Sequence, residues 1–245
     1  MRCRTPGDIP MSRFHLYLDS ADLAELQACL PHPVIHGVTT NPTLMRRAGM
    51  SREGLPRLLH AALKLGARQV QAQVHSADVD GILADARQLL REFDAGQLVI
   101  KIPATREGFQ AGAELGATGV PVTYTAVYAP EQAHFAAQLG AAYAAPYLGR
   151  LDDTGIDGLA LIARMQALIV NSGAATRLLV ASVRSRAAYL ALLELGVGAI
   201  TIPPRLFAEL IDHAATLDAE RGFLVDAVAL SDVDSSPPTS APFTP

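Results

Sequence analysis

The sequence predicts a single α/β domain folded as a (β/α)8 TIM barrel with an extra C-terminal helix. Short apolar runs alternate eight times with segments of helical periodicity along the chain. The length of 245 residues suits one barrel of this kind. A doubly wound open sheet would need a glycine-rich phosphate turn after an early strand, and the sequence has none. The barrel is therefore the fold that uses all the segments.

The eight predicted strands are short apolar runs that stop at a glycine, a proline or a polar residue. Strands buried on both faces have this near-continuous apolar character in parallel sheets. The predicted strands are Phe14–Leu18, Val34–Val38, Gln69–Val74, Gln97–Pro103, Pro121–Val127, Ala141–Tyr147, Leu178–Val183 and Ala199–Ile202.

Apolar positions spaced three or four residues apart predict a helix after each strand. Gly66 is placed to end the second helix, and Pro204 is placed to open the last one. The sequence predicts a polar turn over Thr39–Thr43 and a loop over Leu148–Gly158. The predicted helices are Ala21–Leu30, Arg52–Leu65, Asp78–Phe93, Thr105–Leu115, Ala129–Leu139, Leu159–Val170, Ser185–Leu195 and Pro204–Ala214.

Composition divides the chain into four segments and excludes several functions. We expect a flexible extension at 1–12, the barrel at 13–216, a helix at 217–230 and a disordered tail at 231–245. Hydrophobic residues make up 50% of the chain, and the net charge is −4, so nucleic-acid binding is not favoured. No apolar run reaches the ~20 residues of a membrane span. Because the N-terminus lacks the apolar core of a secretory signal, we expect a cytoplasmic protein with no membrane partner.

One lysine stands out in the fourth predicted strand. The chain's only lysines are Lys64 and Lys101, and Lys101 interrupts the apolar run Gln97–Pro103. A buried ammonium is costly, whereas a desolvated lysine loses its proton and attacks carbonyl carbons, which arginine cannot do. Two interpretations stay open from these residues alone. Lys101 is either a catalytic amine, or a structural lysine that extends past the strand end or forms a buried ion pair.

Nearly every predicted strand delivers a polar residue at its C-terminal end, which is where TIM barrels place their chemistry. Each such residue alone also fits a helix cap, a turn or a surface contact. Their common position at one rim favours a shared site. These residues are Asp19, Thr40, Asn41, Gln73, Lys101, Thr125, Tyr147, Arg150, Ser182, Arg184 and Thr201.

The residue types at this rim suit imine chemistry on a ketone. Lys101 would form an imine, which accepts electrons when the neighbouring carbon–carbon bond breaks. Gln73, Thr125 and Tyr147 would hold a water that transfers protons. Asp19 would take a proton from the hydroxyl at the cleaved bond. The five residues are therefore our predicted catalytic group.

A second group at the rim suits a phosphorylated sugar. Thr40 and Asn41 offer hydrogen bonds to substrate hydroxyls. Arg150, Ser182 and Arg184 make an anion site, to which the helix after the seventh strand adds its N-terminal dipole. These five residues are our predicted substrate-binding group.

Several sequence blocks carry a resemblance to a known family. From about Phe14 to about Leu210 the chain resembles the transaldolase family. Its short length is similar to that of the small transaldolases and the fructose-6-phosphate aldolases. The blocks that carry the resemblance are Leu18–Ala21, Gly37–Leu44, Lys101–Thr105, Ala145–Tyr147 with Gly149–Asp153, and Ala181–Ser182.

The resemblance implies a class I, metal-free enzyme that needs no cofactor. In that family the residue matching Lys101 forms the imine with a dihydroxyacetone unit, and the match to Asp19 is an acid/base residue. The matches to Asn41 and Ser182 hold donor hydroxyls, and the match to Arg150 binds phosphate. The small members commonly form rings, so the resemblance also implies a homo-oligomer.

Two positions separate the subgroups of that family. True transaldolases resemble one another in having a glutamate where this chain has Gln73 and a phenylalanine where it has Tyr147. The pair present here is similar to that of fructose-6-phosphate aldolase, which favours cleavage of a ketose phosphate at the C3–C4 bond with release of dihydroxyacetone. Transaldolase, acting on sedoheptulose 7-phosphate or fructose 6-phosphate in the pentose phosphate pathway, stays as the alternative.

Two further alternatives belong to other classes. An inactive sugar-phosphate-binding barrel would need a broken lysine or acid, and neither is broken here. A metal-dependent aldolase is disfavoured because the histidines that would serve as ligands have no ligand spacing. These histidines are His15, His36, His60, His75 and His134.

Overall fold

The computed structural model describes residues 14–94 and 96–234 of the chain. Eight parallel strands pair in chain order and close into a barrel, because β8 pairs with β1. This confirms the predicted (β/α)8 fold. The strands are β1 His15–Asp19, β2 Ile35–Thr39, β3 Gln69–Gln73, β4 Leu98–Pro103, β5 Val122–Val127, β6 Tyr143–Pro146, β7 Arg177–Val180 and β8 Ala199–Ile202.

Eleven α-helices lie in the described residues and alternate with the strands. A short 3-10 turn over Arg52–Gly54 precedes the third helix. The helices are α1 Leu23–Cys29, α2 Pro42–Arg47, α3 Leu55–Lys64, α4 Val79–Leu90, α5 Arg106–Ala117, α6 Pro130–Gln138, α7 Leu148–Asp153, α8 Gly158–Ser172, α9 Arg186–Glu194, α10 Pro204–Ile211 and α11 Ala214–Asp234.

Two of these helices were predicted wrongly as a turn and a loop. The segment after β2 forms α2 because Asn41 caps the helix and Pro42 occupies its first turn, a combination that favours a helix start. The segment after β6 forms α7, in which Leu148 and Leu151 are buried. Both helices have only six residues, too few to show a clear helical period in the sequence.

The described residues divide into two compact units, with the boundary between Phe207 and Ala208. The barrel strands belong to the first unit. In the second, α11 spans Ala214–Asp234, whereas the sequence predicted a helix over 217–230. The predicted flexible segment 1–12 lies outside the described residues, as does the predicted tail beyond residue 234.

Alternation along β4 determines which way its side chains point. Val99 belongs to a buried cluster inside the barrel together with Tyr17 and Tyr143. Successive side chains of a strand point to opposite faces, so Lys101 points into the barrel, as Val99 does. Ile100, between them, points to the outer face and is fully buried. The fold therefore carries the amine of Lys101 toward the barrel axis, near the C-terminal ends of the strands.

Two glycines of α5 test how tightly this helix packs on the sheet. A Cβ on Gly112 would lie 2.3 Å from the hydroxyl oxygen of Tyr124, which is 1% exposed. We expect Gly112→Ala to lower the free energy of unfolding by about 1–3 kcal/mol through overpacking. Gly116 lies one turn later, with its nearest neighbour at 3.9 Å, so Gly116→Ala should raise that free energy by about 0.5–1 kcal/mol. Thermal melts of both variants check this, and equal losses of Tm would contradict it.

Candidate active site

Lys101 lies near the C-terminal end of β4 and is 3% exposed. Its Nζ donates a hydrogen bond of 3.2 Å to the backbone carbonyl of Thr40. Within the described part of the chain this nitrogen makes no ion pair. Among these residues Lys101 therefore lacks the carboxylate partner that a buried ion pair would require. A lysine amine withdrawn from water and held by a neutral acceptor is suited to attack a carbonyl carbon.

Asp19 ends β1 and lies close enough to Lys101 for their charges to interact. The Thr39 hydroxyl donates to Asp19 Oδ1 at 2.7 Å and lies 2.7 Å from the Thr201 hydroxyl. Burial raises the pKa of the Asp19 carboxyl above its usual value. The charge of Lys101, the hydrogen bond from Thr39 and the charge of Arg150 oppose this rise without cancelling it. A carboxyl with a raised pKa suits proton transfer nearer neutral pH.

A pair of hydroxyl groups lies beside the site. Tyr147, which precedes α7, is 8% exposed, and its hydroxyl is 2.8 Å from that of Thr125 on β5. The guanidinium of Arg150 stands 4.6 Å from the centre of the Tyr147 ring, a cation–π geometry. Ala126, which follows Thr125 on β5, has a φ of 55° at a shift in the β5–β6 register. This bulge changes the direction of the backbone at the C-terminal end of β5.

Arg184 is held in an ion pair. Its guanidinium donates two hydrogen bonds of 2.7 Å to the two carboxylate oxygens of Asp153. The hydrogen bonding from Arg184 holds the pKa of the Asp153 carboxyl below its usual value. Gly149 lets Arg184 lie this close to α7, because a Cβ there would be 2.6 Å from both Arg184 Nε and the Ser182 carbonyl. Ser182 itself has a φ of 59°, a conformation that costs a non-glycine residue about 1–2 kcal/mol.

Asn41 occupies the N-cap of α2. Its Oδ1 accepts a hydrogen bond of 3.1 Å from the Leu44 backbone N–H. This leaves the side-chain amide nitrogen as a donor for a ligand.

These groups surround a cavity of about 360 Å³ at the C-terminal face of the barrel. The volume lies within the ~300–1,000 Å³ typical of small-molecule sites. Seven of the ten predicted site residues line it: Asp19, Asn41, Lys101, Tyr147, Arg150, Ser182 and Arg184. The remaining lining residues are Thr43, Leu44, Arg47, Ala181, Val183 and Pro203.

The other three predicted residues do not line this cavity. The Thr125 hydroxyl instead contacts the hydroxyl of Tyr147, a residue that does line the cavity. Thr40 contributes its carbonyl to Lys101, while its own hydroxyl oxygen is buried and has no hydrogen-bond partner among the described residues. Gln73 pairs with Lys101 in the β3–β4 register. Gln73, however, lines a separate cavity of about 400 Å³.

Sequence reasoning missed two residues at this rim. Arg47 lines the cavity from the last turn of α2. The signal was present, because a cap at Asn41 and a proline at Pro42 mark the start of a helix that brings position 47 to the rim. Asp153 pairs with Arg184 over 31 positions of sequence, and no local pattern predicts a contact at that separation.

The described residues contain neither a metal-binding cluster nor a membrane-spanning helix. No group of three or more His, Cys, Asp or Glu side chains within residues 14–94 and 96–234 is arranged to hold a metal ion. In the same part of the chain, no helix combines the length and the apolar character needed to cross a bilayer.

Comparison with known proteins gives one family. A family model described as transaldolase/fructose-6-phosphate aldolase matches residues 16–235. A protein named probable transaldolase in Coprothermobacter proteolyticus is 35% identical over 86% of this chain and 94% of its own. A relative of the same name in Phenylobacterium zucineum is 35% identical over 86% of this chain and 95% of its own.

Solved structures give the fold alone. A flavocytochrome b2 variant with sulfite bound superposes with a TM-score of 0.55 at 15% identity. The superposition covers 79% of this chain but only 58% of the flavocytochrome chain. At this identity the likeness shows a shared barrel and carries no functional information.

Replacing Asp19 with asparagine tests the raised pKa of its carboxyl. Because the folded pKa is above the unfolded value, ionisation costs the folded state more. Compared with a neutral side chain, Asp19 therefore makes the folded state progressively less stable as the pH rises from the ordinary carboxyl pKa of 3.8 through the raised pKa of the folded state. We expect Asp19→Asn to have a higher Tm than the parent at about pH 8, and this advantage to disappear below about pH 4. Melts by circular dichroism across this range check it, and a pH-independent difference in Tm would contradict it.

Proposed function

The chain belongs to the transaldolase/fructose-6-phosphate aldolase family and is an enzyme of the class I aldolase/transaldolase type; on this basis we propose that it cleaves and forms the C3–C4 bond of a ketose phosphate through an imine at Lys101. One observation carries the proposal. The Lys101 amine is almost fully withdrawn from solvent and yet lines an open cavity beside Asp19, whose carboxyl has a raised pKa.

The first step is attack of the Lys101 nitrogen on the C2 ketone, which gives a carbinolamine. Loss of water then leaves a protonated imine. The Thr40 carbonyl holds the amine before attack and releases it as the nitrogen bonds to carbon. The paired hydroxyls of Tyr147 and Thr125 are available to carry the proton that leaves with the water.

Cleavage uses the imine as an electron acceptor. Asp19 takes the proton of the C4 hydroxyl, the C3–C4 bond breaks, and its electron pair moves into the enamine on Lys101. The C4 fragment leaves as an aldehyde that carries the phosphate. Asp19 then holds one proton, and its raised pKa makes that protonated form accessible.

Part of the cavity wall suits the phosphate end. Arg150 and Ser182 line it from α7 and the end of β7, and a guanidinium recognises phosphate through charge-assisted hydrogen bonds. Asn41 lines the same cavity and donates a hydrogen bond from its amide to a hydroxyl of the bound sugar. This is the role that the sequence predicted for Asn41 and for Thr40.

The fate of the enamine decides between the two activities of the family. Protonation of its carbon releases dihydroxyacetone and completes an aldolase cycle. Addition to an incoming aldose phosphate completes a transaldolase cycle. We favour the aldolase outcome because the Tyr147 hydroxyl supplies a proton donor at the cavity. Transaldolase is the second candidate, since the relatives in C. proteolyticus and P. zucineum bear that name.

We also propose a homo-oligomer that works in the cytoplasm. Helix α11 exposes a run of apolar side chains, and exposed apolar surface favours association. These side chains are Phe223, Leu224, Val225, Val228 and Leu230, each at least 62% exposed.

Product analysis tests the favoured activity. With fructose 6-phosphate and erythrose 4-phosphate together, we expect dihydroxyacetone release to exceed transfer, because Tyr147 protonates the enamine. Tyr147→Phe removes this donor and should raise the ratio of transfer to release roughly a hundredfold, the lower end of what one acid–base group typically contributes. Gln73→Glu tests whether a carboxylate at that position acts in the same direction.

The controls separate the outcomes of this assay. Lys101→Met should show neither release nor transfer, and activity retained in that variant would reject the imine mechanism. Transfer that is faster than release in the parent protein would reverse the ranking of aldolase and transaldolase. A product ratio unchanged in both Tyr147→Phe and Gln73→Glu would remove the proton-donor argument.

A further inference from the structure

Arg47 is a positive charge at the cavity that the mechanism has not used. It lies in the last turn of α2, is exposed, and lines the same cavity as Lys101. Among the described residues it makes no ion pair or hydrogen bond through its side chain. Its neighbour Arg46 is also exposed and does not line the cavity.

Each of the other two arginines at the cavity contacts another side chain, but only Arg184 is paired with an opposite charge. Both carboxylate oxygens of Asp153 accept hydrogen bonds from Arg184, so this bidentate pair is close to neutral as a unit. Arg150 lies over the Tyr147 ring, which leaves the edge of its guanidinium able to donate to a ligand. A phosphate ester near neutral pH carries close to two negative charges. Arg150 alone compensates for only one of them.

The barrel places Arg47 where it can supply the second charge. Strands β2 and β6 are four positions apart in a closed ring of eight, so α2 and α7 follow strands on opposite sides of the mouth. Arg47 comes six residues after the cap Asn41, a rise of about 9 Å along a helix. The long side chains of Arg47 and Arg150 thus reach one cavity of about 360 Å³ from opposite walls.

We propose that Arg47 binds the phosphate of the aldehyde-derived end of the sugar together with Arg150, and so sets the preference for phosphorylated substrates. This inference rests on the function proposed above, because it takes the substrate to be a sugar phosphate.

Two aldehydes that differ only in the phosphate test the role of Arg47. Condensation of dihydroxyacetone with glyceraldehyde 3-phosphate or with glyceraldehyde is measured for the parent protein, Arg47→Gln and Arg46→Gln. We expect Arg47→Gln to raise the KM for the phosphorylated aldehyde roughly tenfold or more, the scale of one charged hydrogen bond. Its kinetics with glyceraldehyde should change less than about twofold, because no phosphate contact is lost. Arg46→Gln should match the parent with both aldehydes.

Other outcomes of this experiment would reject the role proposed for Arg47 or the proposed function. Arg47→Gln that behaves like Arg46→Gln would overturn the proposal, and so would an equal loss with both aldehydes, which indicates a structural role. If the parent protein condenses neither aldehyde, the proposed function fails. Titration of inorganic phosphate by calorimetry then still tests Arg47, since binding that is weakened in Arg47→Gln supports the site and unchanged binding rejects it.

Discussion

The hydrogen bond from Lys101 Nζ to the Thr40 carbonyl is the contact on which this site depends. It links the fourth strand to the end of the second and holds the amine inside the barrel with a neutral partner. A carboxylate partner would fix the ammonium form, whereas a carbonyl leaves the nitrogen free to bond to carbon. Asp19 lies near enough for its charge to interact with that of Lys101, yet burial still raises the pKa of its carboxyl. Lys101 and Asp19 therefore do not form an ion pair among the described residues, and each can act on the substrate in its own role.

The rim around this amine is built from strand ends and short helices. The strand ends carry the reacting groups, and the six-residue helices α2 and α7 carry arginines that line the same cavity. Ala126 and Ser182 have positive φ values, which are strained for residues other than glycine. Both lie near the C-terminal ends of strands, β5 and β7, that contribute to the rim. A barrel suits such a site because its strands are fixed by pairing on both sides, so the rim can be varied without loss of the fold.

The sequence predicted the barrel from its repeated strand and helix patterns, and the inward direction of Lys101 follows from alternation once Val99 is seen inside the barrel. Eight apolar runs mark eight strands, and the position of Lys101 two residues after Val99 puts both side chains on one face. Helices α2 and α7 were missed because six residues carry too little periodicity. Arg184 was predicted as part of an anion site; its ion pair with Asp153 was not predicted, because it depends on a contact between distant segments. The placement of Gln73 in a separate cavity likewise depends on side-chain direction at a strand end, which alternation alone does not determine.

Reductive trapping is the most direct test of the central claim that Lys101 forms the imine. The chain has only two lysines, and Lys64 is exposed on α3, so it serves as an internal control. After incubation with dihydroxyacetone and borohydride, peptide mass mapping should find one adduct per chain, on the peptide that contains Lys101. An unmodified Lys101 peptide, or an adduct on Lys64 alone, would contradict the account.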